Sequence, residues 1–224
     1  RMLLGVSCMV SGTGYVVHKD IIKRNGGWKF FRLTEDVEFS VDSILKGDKI
    51  GYCESAVFYD EQPTRFTDSF NQRLRWAKGF YQVLYKYFGG LVKMMFTKPS
   101  FTCFDALVIL TPGHLFLGAC ASVAILMGFK VGFAPAVYAP ALLMHVLPII
   151  ISSYILFWFG GFLVLLTEHK KIYAGKVKIF LLSFLFPIFM ITYIPIAIMA
   201  LFAKVKWKPI KHTVAVSNEE MKKS

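Results

Sequence analysis

Acidic residues are scarce in this chain: 14 Asp and Glu stand against 26 Lys and Arg in 224 residues, a formal net charge of +12. The acids are also scattered, with Asp42 and Asp48 isolated and Asp60-Glu61 reading as part of a turn. The 4 cysteines, Cys8, Cys53, Cys103 and Cys120, form no C-x-x-C pair, which argues against a zinc site or a disulfide framework. A reduced front half is the simpler account, with Cys103 and Cys120 as small apolar residues at or in a membrane. A dinucleotide fingerprint is missing as well: Ser11-Gly12-Thr13-Gly14 lacks the third glycine and a suitably spaced charged partner. No charged flank with an apolar core and cleavage site marks a signal peptide. The chain opens on Arg1-Met2-Leu3-Leu4-Gly5-Val6, which reads as the interior of a fold, so a fragment is expected.

What the chain has in abundance is apolar surface. Hydrophobic residues make up 55%, aromatics 16%, and the mean hydropathy is +0.53, more than a soluble domain usually carries. Three long apolar segments, 106–129, 134–167 and 179–203, each exceed the roughly 20 residues needed to cross hydrocarbon. The cations lie beside these segments, the pattern of Lys and Arg facing cytoplasmic lipid headgroups, which disfavours nucleic acid as a partner. Three spans would leave the ends of residues 101–203 on opposite sides, yet Lys204, Lys206, Lys208 and Lys211 mark the tail as cytoplasmic. A fourth span or re-entrant piece within the long middle segment, which contains Pro140 and Pro148, resolves this.

Gln72-Arg73-Leu74-Arg75-Trp76 stands just before the chain turns apolar. On a helix Gln72, Arg75 and Trp76 share a face, presenting an amide, a planar cation and a flat ring. That set suits a sugar-phosphate, because guanidinium pairs with phosphate and aromatic rings give sugars an apolar platform. An amphipathic helix with an interfacial Trp is the other reading of the pentapeptide. The apolar stripe Phe80, Val83, Leu84, Tyr87, Phe88 and Leu91 predicts that this helix lies in the membrane plane and stops at Gly89-Gly90. Upstream, Thr34-Glu35-Asp36 precedes Val37, Val41, Ile44 and Leu45 and a stop at Gly47, which predicts a helix capped by Thr34 with Asp36 in its first turn. An alternating strand is expected over 49–59, and helix followed by strand implies an α/β sheet.

A Thr-Glu-Asp followed at this distance by Q-x-x-R-W and hydrophobic spans resembles the processive membrane glycosyltransferases of family 2, the cellulose, hyaluronan, chitin and poly-N-acetylglucosamine synthases. The resemblance covers nearly the whole chain, as the rear part of a complete enzyme. It implies an α/β fold: a partial GT-A-like catalytic domain at residues 1–66, the Q-x-x-R-W and interface helix at 67–100, transmembrane helices at 101–203 and a basic cytoplasmic tail at 204–224. It implies an inverting transfer from a nucleotide-sugar donor to a polysaccharide acceptor at the cell membrane, with the catalytic part cytoplasmic. Asp36, with Glu35 and Thr34, is then the catalytic group; Arg75 and Gln72 bind diphosphate; Trp76, with Gly12 and Thr13 of the small-residue turn, binds acceptor. An ordinary strand-to-helix turn is the alternative for Gly12 and Thr13. A divalent Mg or Mn ion is expected in the complete enzyme on an Asp-x-Asp that this chain lacks, so no metal ligand is assigned here and the fragment by itself is expected to be inactive. Whether an accessory subunit joins it stays open. His114, His145, Ser152, Ser153, Trp158 and Tyr193 could line a sugar channel or pack helices. Trp207 could reach the site or anchor at the interface. Single-sugar transfer to a lipid carrier, and a transporter or scaffold without chemistry, are the competing functions.

Overall fold

The computed structural model describes residues 1–56, 58, 60–98, 100–111, 123, 126, 127, 132, 135–168 and 175–206. They form helices α1 (Lys19–Arg24), α2 (Glu35–Leu45), α3 (Phe66–Thr97), α4 (Phe101–Leu110), α5 (Pro135–Glu168), α6 (Lys176–Ser183), α7 (Leu185–Ile191) and α8 (Tyr193–Phe202), after a 3-10 turn at Met2–Leu4. The chain divides into two compact units, one of Arg1–Pro112 with Ile196–Val214 and the other of Gly113–Pro195 with Ala215–Ser224.

The α/β expectation is overturned: among the described residues there is no strand, and the fold is helical. The hydrogen bonds explain why. A ladder requires alternate amides of one extended segment to meet carbonyls of its neighbour. The amide of Cys8 does so, donating to the Ile50 carbonyl at 2.8 Å. The amide of Ile50, however, donates to Ser7 Oγ at 2.9 Å. The next alternate amides, Val10 and Gly12, donate to Ser40 Oγ at 2.9 Å and Asp36 Oδ2 at 2.6 Å. Side chains of α2 therefore take the donors that a neighbouring strand would need. The spacing allows it, since two residues of extended chain advance about 6.6 Å and four residues of helix about 6 Å.

In the first unit, α2 presents Val37, Val41 and Ile44 to Val83, Tyr87 and Leu91 of α3 and Cys103, Ala106 and Leu110 of α4 in one buried cluster. The opposite side of α2 carries Phe39, which packs on Val10 and Phe30 in a second cluster. Val83, Tyr87 and Leu91, expected to face lipid, are thus covered by protein, while Tyr85 and Phe88 of the same helix are exposed. Arg73, within the Q-x-x-R-W segment, is buried.

Helix α3 runs through Gly89-Gly90 for 32 residues, against the expected stop, and tertiary packing is the reason. A side chain at Gly90 would lie 3.2 Å from Leu45 Cδ1, and one at Gly79 would lie 2.5 Å from Thr34 Cγ2 and Oγ1. Gly79 and Gly90 are separated by the same number of residues as Thr34 and Leu45, close to three helical turns. The two helices therefore run in the same direction in close contact, with a glycine of α3 under each end of α2.

In the second unit, Trp158 of α5 stacks between Phe162 and Phe184 and donates to Ser183 Oγ at 3.1 Å. Tyr154 donates to the Phe184 carbonyl at 2.8 Å. These contacts give Trp158 a packing role. Helix α5 continues through Pro140 and Pro148. The third apolar segment breaks instead, at Phe184 and Thr192, each three residues before a proline, where the missing N–H and the ring oppose a regular turn. Two helical stretches, Ile150–Glu168 and Val177–Phe202, are long and apolar enough to cross a membrane. Most of the first expected span, along with His114, Cys120, the basic 169–174 segment and Trp207, lies outside the described residues, as does the side chain of His145.

Candidate functional site

The site assembles where α2 begins. Thr34 occupies the N-cap position, but its side chain makes no cap bond. It is buried against Gly79, and its Oγ1 has no hydrogen-bond partner among the described residues. One residue earlier, the Leu33 carbonyl accepts from Arg75 Nη1 at 3.2 Å. The Arg-Trp segment and the Thr-Glu-Asp segment, distant along the chain, are joined at these two contacts.

Because α2 starts level with Gly79, the part of α3 carrying Gln72, Arg75 and Trp76 projects past its N-terminus. Trp76 is 37% exposed. Neither its indole N–H nor the amide of partly exposed Gln72 is hydrogen-bonded to another side chain or to backbone among the described residues.

Asp36 sits in the first turn of α2 on the side away from α3. Its Oδ2 accepts the Gly12 amide, while its backbone carbonyl accepts from Ser40 Oγ at 2.8 Å. Gly12 (φ 59°) and Gly14 (φ 72°) are both left-handed, a conformation costly for other residues, so the turn depends on glycine there. Thr13 is exposed at its tip. Tyr15, at the end of the turn, stacks on Phe39. Burial, then the charges of Glu35 and Asp36, push its phenol above the ordinary range, so both carboxylates are near it. The structure thus brings Asp36 to Gly12, and Arg75 to the entry of α2. It forms no hydrogen bond between Asp36 and Gln72, Arg75 or Trp76 among the described residues.

Three residues of this region escape a reading by motif. Ser40 bridges the Val10 amide to the Asp36 carbonyl. Gly79 admits Thr34. Glu38, buried at 2% exposure, accepts from Arg32 Nε at 3.2 Å and Lys86 Nζ at 2.8 Å. Gly79 carried a usable signal, since a glycine within a helical pattern costs about 1 kcal/mol and needs a packing reason. Ser40 and Glu38 are ordinary residues for a solvated helix face, and only the fold distinguishes them. Among the described residues no group of three or more His, Cys, Asp or Glu could hold a metal ion.

The structure thus sets a helix-borne acid beside a glycine turn and an Arg-Trp helix against the entry of the same helix. The chain belongs to glycosyl transferase family group 2, whose family model matches residues 1–205. It is similar to the probable glycosyltransferase YdaM of Bacillus subtilis (strain 168), at 28% identity over 85 residues. That match takes in 38% of this chain and 20% of the length of YdaM. No solved structure matches.

Proposed function

We propose that the protein transfers a sugar from a nucleoside-diphosphate donor to a hydroxyl of a growing polysaccharide, with inversion, at a membrane. The observation that carries this reading is the contact of Arg75 with the Leu33 carbonyl, which brings a guanidinium beside the entry to the acid-bearing helix. In the reaction, the acceptor oxygen bonds to the anomeric carbon as the bond from that carbon to the diphosphate oxygen breaks. The electron pair leaves with the diphosphate, and the hydroxyl proton passes to Asp36. Asp36 is held by the Gly12 amide with its second oxygen open, as a base needs to be to reach an incoming hydroxyl. Arg75 neutralises charge that grows on the departing diphosphate, with Gln72 bonding sugar or phosphate. Trp76 gives the acceptor sugar a partly exposed ring to lie on, and Gly12 and Thr13 are further acceptor-binding residues of the proposal.

The two apolar stretches long enough to cross a membrane support a multi-pass location, and the cations flanking the apolar segments support a cytoplasmic catalytic side. The described residues offer no three-ligand set for Mg or Mn. The full-length protein in membranes, given radiolabelled UDP-glucose or UDP-N-acetylglucosamine, is expected to make long polymer. Asp36→Asn is expected to lower transfer by about 10²–10⁴-fold. Products of a single added sugar would refute polymer extension, and full activity in Asp36→Asn would remove Asp36 as the base.

A further inference from the structure

One fully buried carboxylate in the first unit lies outside the set assigned above. Glu38 is on α2, two residues past Asp36 and on the side facing α3, with its side chain 2% exposed. Its Oε1 accepts from Lys86 Nζ at 2.8 Å and Arg32 Nε at 3.2 Å, and its Oε2 accepts from the Arg32 amide at 3.4 Å. The two cations are only partly covered, at 36% and 42% side-chain exposure. Three separate pieces of chain meet on this carboxylate: the segment leading into α2, α2 itself, and α3.

An ion pair of this kind is a weak device for stability, since apolar residues of similar volume often do as well or better. It is a good device for register, because it is satisfied only when all three pieces are aligned. Arg75, Gly79, Lys86 and Gly90 fall within about 60° of one another around α3, so Lys86 fixes the same face that carries the Arg75 and Gly79 contacts. Residues 32 and 33 are consequently tied twice, Arg32 to Glu38 and the Leu33 carbonyl to Arg75.

Resting on the transfer reaction proposed above, we infer that Glu38, bridging Arg32 and Lys86, is a positioning residue that sets where Asp36 stands relative to Arg75 and Trp76. It touches neither donor nor acceptor. Removing one arm lets α2 slide on α3 and misaligns the base with the departing group, so turnover suffers more than donor binding.

The test uses the full-length protein in membranes with radiolabelled UDP-glucose and UDP-N-acetylglucosamine. Lys86→Met is expected to lower kcat per folded protein about tenfold with donor KM little changed, and, because buried Glu38 keeps only Arg32, to lower the unfolding midpoint of the detergent-solubilised protein as well. Lys86→Arg, which keeps a cation and donor, is expected to restore kcat to within about twofold of wild type. Unchanged kcat in Lys86→Met, or a loss that only follows the amount of folded protein, would overturn the inference. Hydrogen exchange separates this from failure of the reaction itself: amides 32–38 should exchange faster in Lys86→Met than in wild type. Equal protection overturns the clamp. Faster exchange in a protein that transfers neither sugar supports the clamp and overturns the reaction on which its catalytic role rests.

Discussion

Three glycines of α3 provide a graded test of how closely α2 must approach it. A methyl group added at Gly89 meets nothing within 4 Å; at Gly90 it lies 3.2 Å from the tip of Leu45; at Gly79 it lies 2.5 Å from both branches of Thr34 and 2.9 Å from its Cβ. Each substitution to alanine gains about 1 kcal/mol of helix propensity. At Gly89 nothing opposes that gain, so Gly89→Ala is expected to be stabilising and fully active. At Gly90 the leucine tip can rotate aside, and the net effect is expected near zero. At Gly79 the obstacle is a β-branched side chain one bond from the backbone, which is stiff. Restoring ordinary contact near 3.5 Å requires the start of α2 to retreat by about 1 Å.

Overpacking of that size costs about 1–3 kcal/mol, leaving Gly79→Ala destabilised by about 0–2 kcal/mol after the propensity gain. Activity is expected to fall much further, because a displacement of about 1 Å between reacting groups can cost on the order of 10²-fold in rate. The assay is radiolabelled sugar incorporation by full-length protein in membranes, paired with thermal unfolding of the solubilised protein. Gly79→Ala matching Gly89→Ala in both rate and stability would refute the close packing of α2 on α3 and the geometry built on it.

Other consequences can be checked separately. Gly12→Ala forces a side chain into the left-handed region at about 1–2 kcal/mol and loosens the amide that holds Asp36, so both unfolding midpoint and kcat should drop; an unchanged kcat would show the turn to be a spectator. Trp76→Ala should raise acceptor KM by about tenfold or more, on the scale of an aromatic contact of 1–3 kcal/mol, whereas Trp76→Phe should recover most of it; equal behaviour of the two would exclude ring stacking. The Arg24 hydrogen bond, opposed by desolvation and then aided by charge, holds Asp48 below the usual carboxylate range. A depressed folded pKa gives stability that is present above the unfolded value near 3.9 and lost as pH falls through the folded one. The stability difference between wild type and Asp48→Asn should therefore vanish in that acid window, and a difference that persists below it would refute the assignment.

The start and end of α2 were legible in the sequence because they depend on local chemistry. The first-turn acids mark the beginning, with Thr34 at the N-cap position but without the cap bond expected of it, and Gly47, at φ 82°, marks the end. The described part of the 49–59 stretch misled because alternation records only that one side of an extended segment is apolar. Whether it becomes a strand depends on where neighbouring amides find acceptors, and here Ser7, Ser40 and Asp36 supply them. Gly89-Gly90 misled for a related reason: a helix interrupter by propensity becomes a contact point when another helix lies over it, as Leu45 does over Gly90. In the candidate site, Asp36, Arg75 and Trp76 are singled out by their motifs. Glu38 and Ser40 are not, since each has one partner far along the chain, Lys86 for Glu38 and Val10 for Ser40.

The alternating amides of residues 8, 10 and 12 have a practical bearing on chimeras between related enzymes. Transplanting the glycine turn alone would leave two of those amides seeking a hydroxyl and a carboxylate that the recipient need not offer. The natural module for exchange runs from Val6 through Ile50, whose carbonyl takes the Cys8 amide, and it needs beneath it the α3 face that carries Gly79, Lys86 and Gly90; a swap that leaves these out should lose its shape.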